Sequence, residues 1–390
     1  MNTRADRSLI DLTKWREFIK SFEGDPDQFI HVPGLIIARP LLRSVLNATE
    51  KLRACDHNPN PRLRVFSGNR LDYAAIERFC YDTPPSADVF EFLEEWVSGK
   101  GSCIAVNEVE SWDATLREVA ATEFIPGLRP YLRRTSSKVD WYAFLATEGW
   151  TPFGIHDDDE PSLIMNLGPA NKEVWVWEPS ALSGLDRGRR TSLSFEHQLP
   201  SASYHLVLKP GDFAAIPTGW FHVLRSSGRS VLLGIALYRR DPHSEIGAYL
   251  SRRGRDPLEW FGEVANSEAA RCRISAVRRH LDLTLESAAF SASPVRVHPA
   301  MPESGLPQRV RALLPLLVVE LPTLLLANGA AIPIPEEVGA EVVAAWLREN
   351  PEFTPEGFTK QFPELPVHDG SSDLLNRLAR AGVLSMAIDT

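Results

Sequence analysis

The sequence predicts a mainly β protein with helices, built on a double-stranded β-helix (jelly roll) and followed by a helical segment and a winged-helix-like module. Two observations point to the jelly roll. Short apolar runs, Leu163-Ile-Met-Asn-Leu167, Lys172-Glu-Val-Trp-Val-Trp177 and Ser230-Val-Leu-Leu-Gly-Ile-Ala-Leu-Tyr238, are separated by Pro/Gly turns, the pattern of a closed antiparallel architecture. A further strand is entered through Lys209-Pro-Gly-Asp212 and left through Ile216-Pro-Thr-Gly219.

Chemistry-bearing residues sit on these strands. His156 and Asp158 are two apart, and on a strand residues i and i+2 point the same way. His222 follows the Pro-Gly-Asp strand. Two imidazoles and one carboxylate on one side of a metal form the facial triad of non-haem Fe(II) oxygenases, with coordination positions left open. His-x-Asp alone says little in a chain with ten His; the strand context gives it weight. His205, at the start of Leu206-Val-Leu208, is the alternative second imidazole, but it lacks the Pro-Gly-Asp context of His222.

A chain of 390 residues accommodates two or three domains. Its 44% apolar and 24% charged residues are those of a soluble globular protein. A net charge of −9 argues against broad nucleic-acid binding, which needs a basic surface. Cys55, Cys80, Cys103 and Cys272 show no C-x-x-C spacing, so reduced thiols in a cytoplasm are expected. The first sixteen residues are polar and charged, unlike a secretory signal, and the apolar run 312–327 is broken by Glu320, Pro315 and Pro322, short of a membrane span.

In chain order, apolar residues at 12, 15, 18, 19 and 22 predict a helix capped by Asp11. A strand and turn at 29–34 lead to a helix at 40–52, then a strand at 62–66, helices at 72–80 and 86–98, a strand at 101–107 and an amphipathic stretch at 112–124. The connection 183–204, with Arg187-Gly-Arg-Arg190, is expected to be a flexible excursion. Residues 245–280 are expected to be helical and Arg-rich, and the Pro/Ser-rich tract 291–307 a linker. A helix is predicted within 310–326, others at 335–347, after Thr354-Pro-Glu356 and at 372–382, and a short strand at 383–388.

His156-x-Asp158, Lys172 on the next strand and Pro210-Gly-Asp212…Pro217-x-Gly-x-x-His222 together resemble the JmjC/cupin-like Fe(II)/2-oxoglutarate-dependent oxygenases, most closely the ribosomal-oxygenase type of protein hydroxylase. The resemblance is best over residues 139–238. It implies Fe(II) on His156, Asp158 and His222, and 2-oxoglutarate anchored through its far carboxylate by Lys172; Asn166 and Thr151 are read either as polar wall residues or as residues that hydrogen-bond locally in a bend. The stretch Gly168-Pro-Ala-Asn171 is looser than the turn usual there. The resemblance also implies three regions: an oxygenase domain with an α/β lead-in at 1–240, a helical dimerising segment at 241–290 and a winged-helix-like domain at 306–390. The partner it implies is a protein or peptide substrate. Two alternatives share the scaffold: a small-molecule or natural-product oxygenase, and a non-catalytic cupin-like peptide-binding protein.

Overall fold

The structure is a computed structural model that describes residues 8–53, 62–82, 88–97, 101–135, 137–182, 194–239, 268–287, 309–365 and 374–386. It mixes helices with antiparallel sheets and divides into two compact units, residues 1–119 with 140–237, and residues 120–139 with 238–390.

The first unit starts with α1 (Leu12–Gly24), capped by Asp11, whose carboxylate accepts from the amides of Thr13 and Lys14. After β1 (Ile30–Val32) comes α2 (Ala38–Arg53), then the hairpin β2 (Leu63–Ser67) and β3 (Arg70–Leu71). Next are α3 (Tyr73–Glu77), α4 (Val89–Glu95), β4 (Cys103–Val106) and α5 (Ala114–Val119). The remaining strands are β5 (Ser137–Ala146), β6 (Gly149–Trp150), β7 (Ser162–Pro169), β8 (Lys172–Trp177), β9 (Tyr204–Leu208), β10 (Phe213–Ile216), β11 (Phe221–Ser226) and β12 (Ser230–Arg239).

These strands make an eight-stranded sheet, β1-β10-β7-β12-β5-β4-β2-β3, and a four-stranded sheet, β6-β11-β8-β9. Alternate residues of each strand turn to one side. Ile164, Ala214, Ile216 and Leu232 of the large sheet pack with Val174, Val176, Leu208 and Leu224 of the small one, so the core lies between the sheets. The large sheet's other face is covered from the lead-in: Trp15 and Phe18 of α1 meet Phe213 with ring centroids 5.9 and 4.7 Å apart. On the small sheet's other face, Trp175, Trp177, Phe221 and Val223 form a second cluster with Leu182 and Phe195.

The Pro-Gly-Asp turn knits the rim. Gly211 has φ +100°, and a Cβ there would lie 3.0 Å from the carbonyl oxygen of Ile36, so only glycine fits. The Asp212 carboxylate accepts from the amides of Gly34 and Lys209, both at 2.8 Å.

The second unit contains α6 (Ile125–Thr135) and the helix Glu268–Ser287. Here one expectation fails. Residues 310–326 hold no α-helix: beside a single 3-10 turn at Leu314–Leu316 they form β13 (Val310–Ala312), β14 (Leu317–Leu321) and the start of β15 (Leu324–Ala327), and β16 (Ala330–Pro333) follows. A continuous apolar run does not separate a helix from a buried strand. The overlooked signal is Asn328-Gly329, with φ +45° and +77°, joining the paired Ala327 and Ala330. Asn-Gly between apolar runs is the strongest short hairpin signal. The helices Ala340–Glu349, Pro355–Gln361 and Leu374–Arg380 follow, and β13 pairs with β17 (Glu352–Phe353) and β18 (Leu384–Met386). The expected linker at 291–307, much of the excursion at 183–204 and residues 241–267 and 288–290 of the expected dimerising segment lie outside the described residues. Among the described residues no helix is long and apolar enough to cross a membrane.

Candidate metal centre

His156 and His222 face each other as an antiparallel pair, His222 N–H donating to the His156 carbonyl at 2.8 Å and His156 N–H to the His222 carbonyl at 3.2 Å. The strand geometry thus brings two imidazoles together, with ring centroids 4.3 Å apart. Each ring is pinned through Nδ1, to the carbonyl of Gly154 at 2.9 Å and of Trp220 at 3.2 Å. A carbonyl only accepts, so each Nδ1 carries the proton and each Nε2 is left as a lone-pair donor. Both Nε2 atoms are turned toward Asp158, at 4.0 Å from Oδ1 for His156 and 3.7 Å from Oδ2 for His222. Both imidazoles are buried and Asp158 is partly exposed.

The donor set fits a divalent metal. The three ligand atoms lie within 4.8 Å of one another. One ion bonded at about 2.1 Å to two of them bridges up to about 4.2 Å, so closure on an ion needs only small side-chain movements. Among the described residues this is the one such cluster of His, Cys, Asp and Glu. His205 is not part of it. It lies exposed on the far face of the small sheet, stacked on Trp175 with centroids 4.5 Å apart and planes 8° apart.

Lys172 begins β8 opposite Ser226 of β11, and Val176 lies opposite His222. Lys172 and His222 therefore point to the same side, into the space between the sheets. Lys172 is completely buried. Its ammonium donates to Ser226 Oγ at 2.7 Å, and Ser230 Oγ in turn donates to Ser226 Oγ at 2.9 Å. Among the described residues no carboxylate pairs with it. Burial pushes its pKa down to about 8, opposed by the nearby Cys103. The Cys103 thiol is pushed up to about 12 by its own burial.

Asn166 lies on the inner face of β7, and its amide is engaged with backbone: Nδ2 donates to the carbonyls of Ala170 and Leu208, and Oδ1 accepts from Gly168 N–H. Thr151 is bound to β11, its N–H donating to the Leu224 carbonyl at 2.8 Å and its hydroxyl accepting from Leu224 N–H at 3.4 Å. Ser226, Ser230 and Ser162 are the polar neighbours that sequence reasoning missed. Serines near strand ends carry no local signal; the available hint was that 222 and 226 share a face of one strand.

No protein-family model and no curated protein matches the sequence. Solved structures do. A structure of YcfD, a ribosomal oxygenase from Escherichia coli, in complex with cobalt and 2-oxoglutarate matches with a TM-score of 0.50 and 14% identity, over 94% of this chain and 97% of that one. Another E. coli YcfD structure matches with a TM-score of 0.51 and 14% identity, over 94% and 98%. The fold is that of the ribosomal oxygenases. At this identity the likeness is one of fold. Within that fold, the cluster of His156, Asp158 and His222 and the buried Lys172 are read from this chain's own residues.

Proposed function

We propose that the protein is an Fe(II)- and 2-oxoglutarate-dependent dioxygenase that hydroxylates a side chain of a protein or peptide. The observation that carries this reading is a buried ammonium, with no counter-charge among the described residues, on the same inner face as a facial pair of imidazoles. A charge taken out of water without a partner is costly, and an anion arriving from outside removes that cost. The sheet pair that holds both groups is read as the double-stranded β-helix, and the last unit as the winged-helix-like module.

His156, Asp158 and His222 would hold the iron, which when bound supplies oxygen activation coupled to oxidative decarboxylation of 2-oxoglutarate. The chain's residues bind and orient. Lys172 would pair with the far carboxylate, with Ser226, steadied by Ser230, as a second hydrogen-bonding group beside it. The α-carbons of His222 and Ser226 are about 13 Å apart at 3.3 Å per strand residue, and the side chains close part of that distance, so a short dicarboxylate can bridge the remainder. Asn166 and Thr151 shape the wall through their backbone hydrogen bonds. The core between the sheets excludes water from the reacting end. Asp157 and Asp159 flank the metal ligand and favour a cationic substrate side chain. The YcfD complex holds cobalt and 2-oxoglutarate, which supports this arrangement.

Anaerobic addition of Fe(II) and 2-oxoglutarate to the apo-protein is expected to give a weak visible charge-transfer band, and aerobic addition to yield succinate. His156→Ala, Asp158→Ala and His222→Ala should each abolish tight Fe(II) binding and turnover while leaving the unfolding transition in place; His205→Ala should retain both. Wild-type turnover in any of the three triad variants removes that residue from the ligand set. No absorption change in the wild type defeats the reading itself.

A further inference from the structure

β12 carries Gly234 in mid-strand, opposite Ile164 of β7 and between β7 and β5 in the large sheet. A Cβ on Gly234 would lie 2.1 Å from Cζ, 2.3 Å from Cε2 and 2.5 Å from the hydroxyl oxygen of Tyr142. The Tyr142 ring, arriving from β5, therefore lies across the glycine, a close approach that no other residue permits. By crossing β12 it reaches the next strand: its hydroxyl is 3.5 Å from Ser162 Oγ, at the start of β7. Ser162 is 3% exposed, and its Oγ donates to Asp158 Oδ2 at 3.0 Å.

We infer that Ser162, held by Tyr142 across the Gly234 gap, is a positioning residue that sets the rotamer of Asp158 as a metal ligand. The inference rests on the reading that His156, Asp158 and His222 bind a metal. The two imidazoles are fixed by carbonyls of their own segments, two residues away in each case. Asp158 follows the bridge rather than lying within it, and its side chain is 27% exposed, so burial alone does not fix its orientation. The Ser162 hydroxyl approaches Oδ2, the oxygen nearer His222, and occupies one of its lone pairs; Oδ1, nearer His156, is thereby favoured for the ion. Groups that orient a ligating side chain in this way typically change metal affinity 10–100-fold.

The test uses the full-length apo-protein and Co(II) alone, followed by the visible spectrum of the bound ion, with thermal unfolding recorded for each variant. Ser162→Ala should weaken Co(II) binding about 10–100-fold with little change in unfolding, and Ser162→Thr, which keeps the hydroxyl, should restore most of the affinity. Tyr142→Phe should weaken it by a smaller factor. Because the tyrosine acts through the serine, Tyr142→Phe combined with Ser162→Ala should bind no more weakly than Ser162→Ala alone. Wild-type affinity in Ser162→Ala, failure of Ser162→Thr to restore binding, or full additivity of the two changes overturns the inference while the metal site stands. A wild type whose Co(II) spectrum is the same as that of His156→Ala overturns the metal site, and this inference with it.

Discussion

Two completely buried ionisable side chains in the first unit, Lys172 and Glu110, meet burial in opposite ways. Glu110, in a turn after β4, lies within electrostatic reach of Arg117 of α5, yet burial, aided by Asp140 and Glu108, pushes its carboxyl up to about 8. At neutral pH it is mainly the uncharged acid, and only its Oε2 lacks a hydrogen-bond partner. Among the described residues Lys172 has hydroxyls around it and no carboxylate, and burial lowers it to about 8. At neutral pH it remains mainly charged. The acid meets its burial by holding its proton, whereas the lysine stays cationic, and under the proposed function its desolvation cost is relieved by a bound anion.

The largest expected effect breaks the lysine side of this contrast. Lys172→Met should weaken 2-oxoglutarate by two to four orders of magnitude, the consequence of about 3–5 kcal/mol for one lost partner of a buried ion pair, while Fe(II) binding persists. Lys172→Arg should be intermediate, since a guanidinium pairs with a carboxylate but differs in length and shape. Affinities within about twofold of wild type for both variants would make Lys172 an inert strand residue. Glu110→Gln should leave 2-oxoglutarate affinity unchanged.

A second measurement follows the proton. A dianion binds the ammonium form, so wild-type 2-oxoglutarate affinity should fall about tenfold per pH unit above about 8, and the fall should vanish in Lys172→Arg, whose charge persists. A wild-type affinity that is flat from pH 7 to 10 would separate the lysine from the anion.

A last pair of effects, a few kcal/mol each, concerns stability without ligand. Lys172 has a folded-state pKa below its unfolded value of 10.5. The unfolded chain then binds more protons between about pH 8 and 10.5, and stability rises with pH across that window. Glu110 has its folded pKa above the unfolded value of 4.5, so the folded chain binds more protons between 4.5 and about 8, and stability falls across that window. Together the two groups contribute a stability minimum near pH 8. In urea titrations Glu110→Gln should remove the acid-side fall and Lys172→Met the alkaline-side rise. A profile that neither substitution alters would show that neither group titrates as burial dictates.

The meeting of His156, Asp158 and His222 was largely legible in the sequence because its signals are local. His156 and Asp158 share a strand-like side through a spacing of two, and His222 follows a Pro-Gly-Asp turn whose geometry only Gly211 and Asp212 satisfy. The lead-in helix was legible for the same reason, its apolar stripe recurring at helical spacing with Asp11 before it. The apolar run after residue 310 was not, since its hydrophobicity has no period that tells a strand from a buried helix, and the informative Asn328-Gly329 lies beyond it.

The sequence by itself determined which residue types could hold a metal, because ligand chemistry and strand periodicity are properties of neighbouring residues. Only the tertiary structure decided what surrounds them. Ser226 stands beside Lys172 through the register of β8 and β11, and Tyr142 reaches Ser162 only where Gly234 opens a gap in the strand between them. Those neighbours come from separate strands, joined by pairing and packing across the sheets, and no short-range pattern in the chain encodes such meetings.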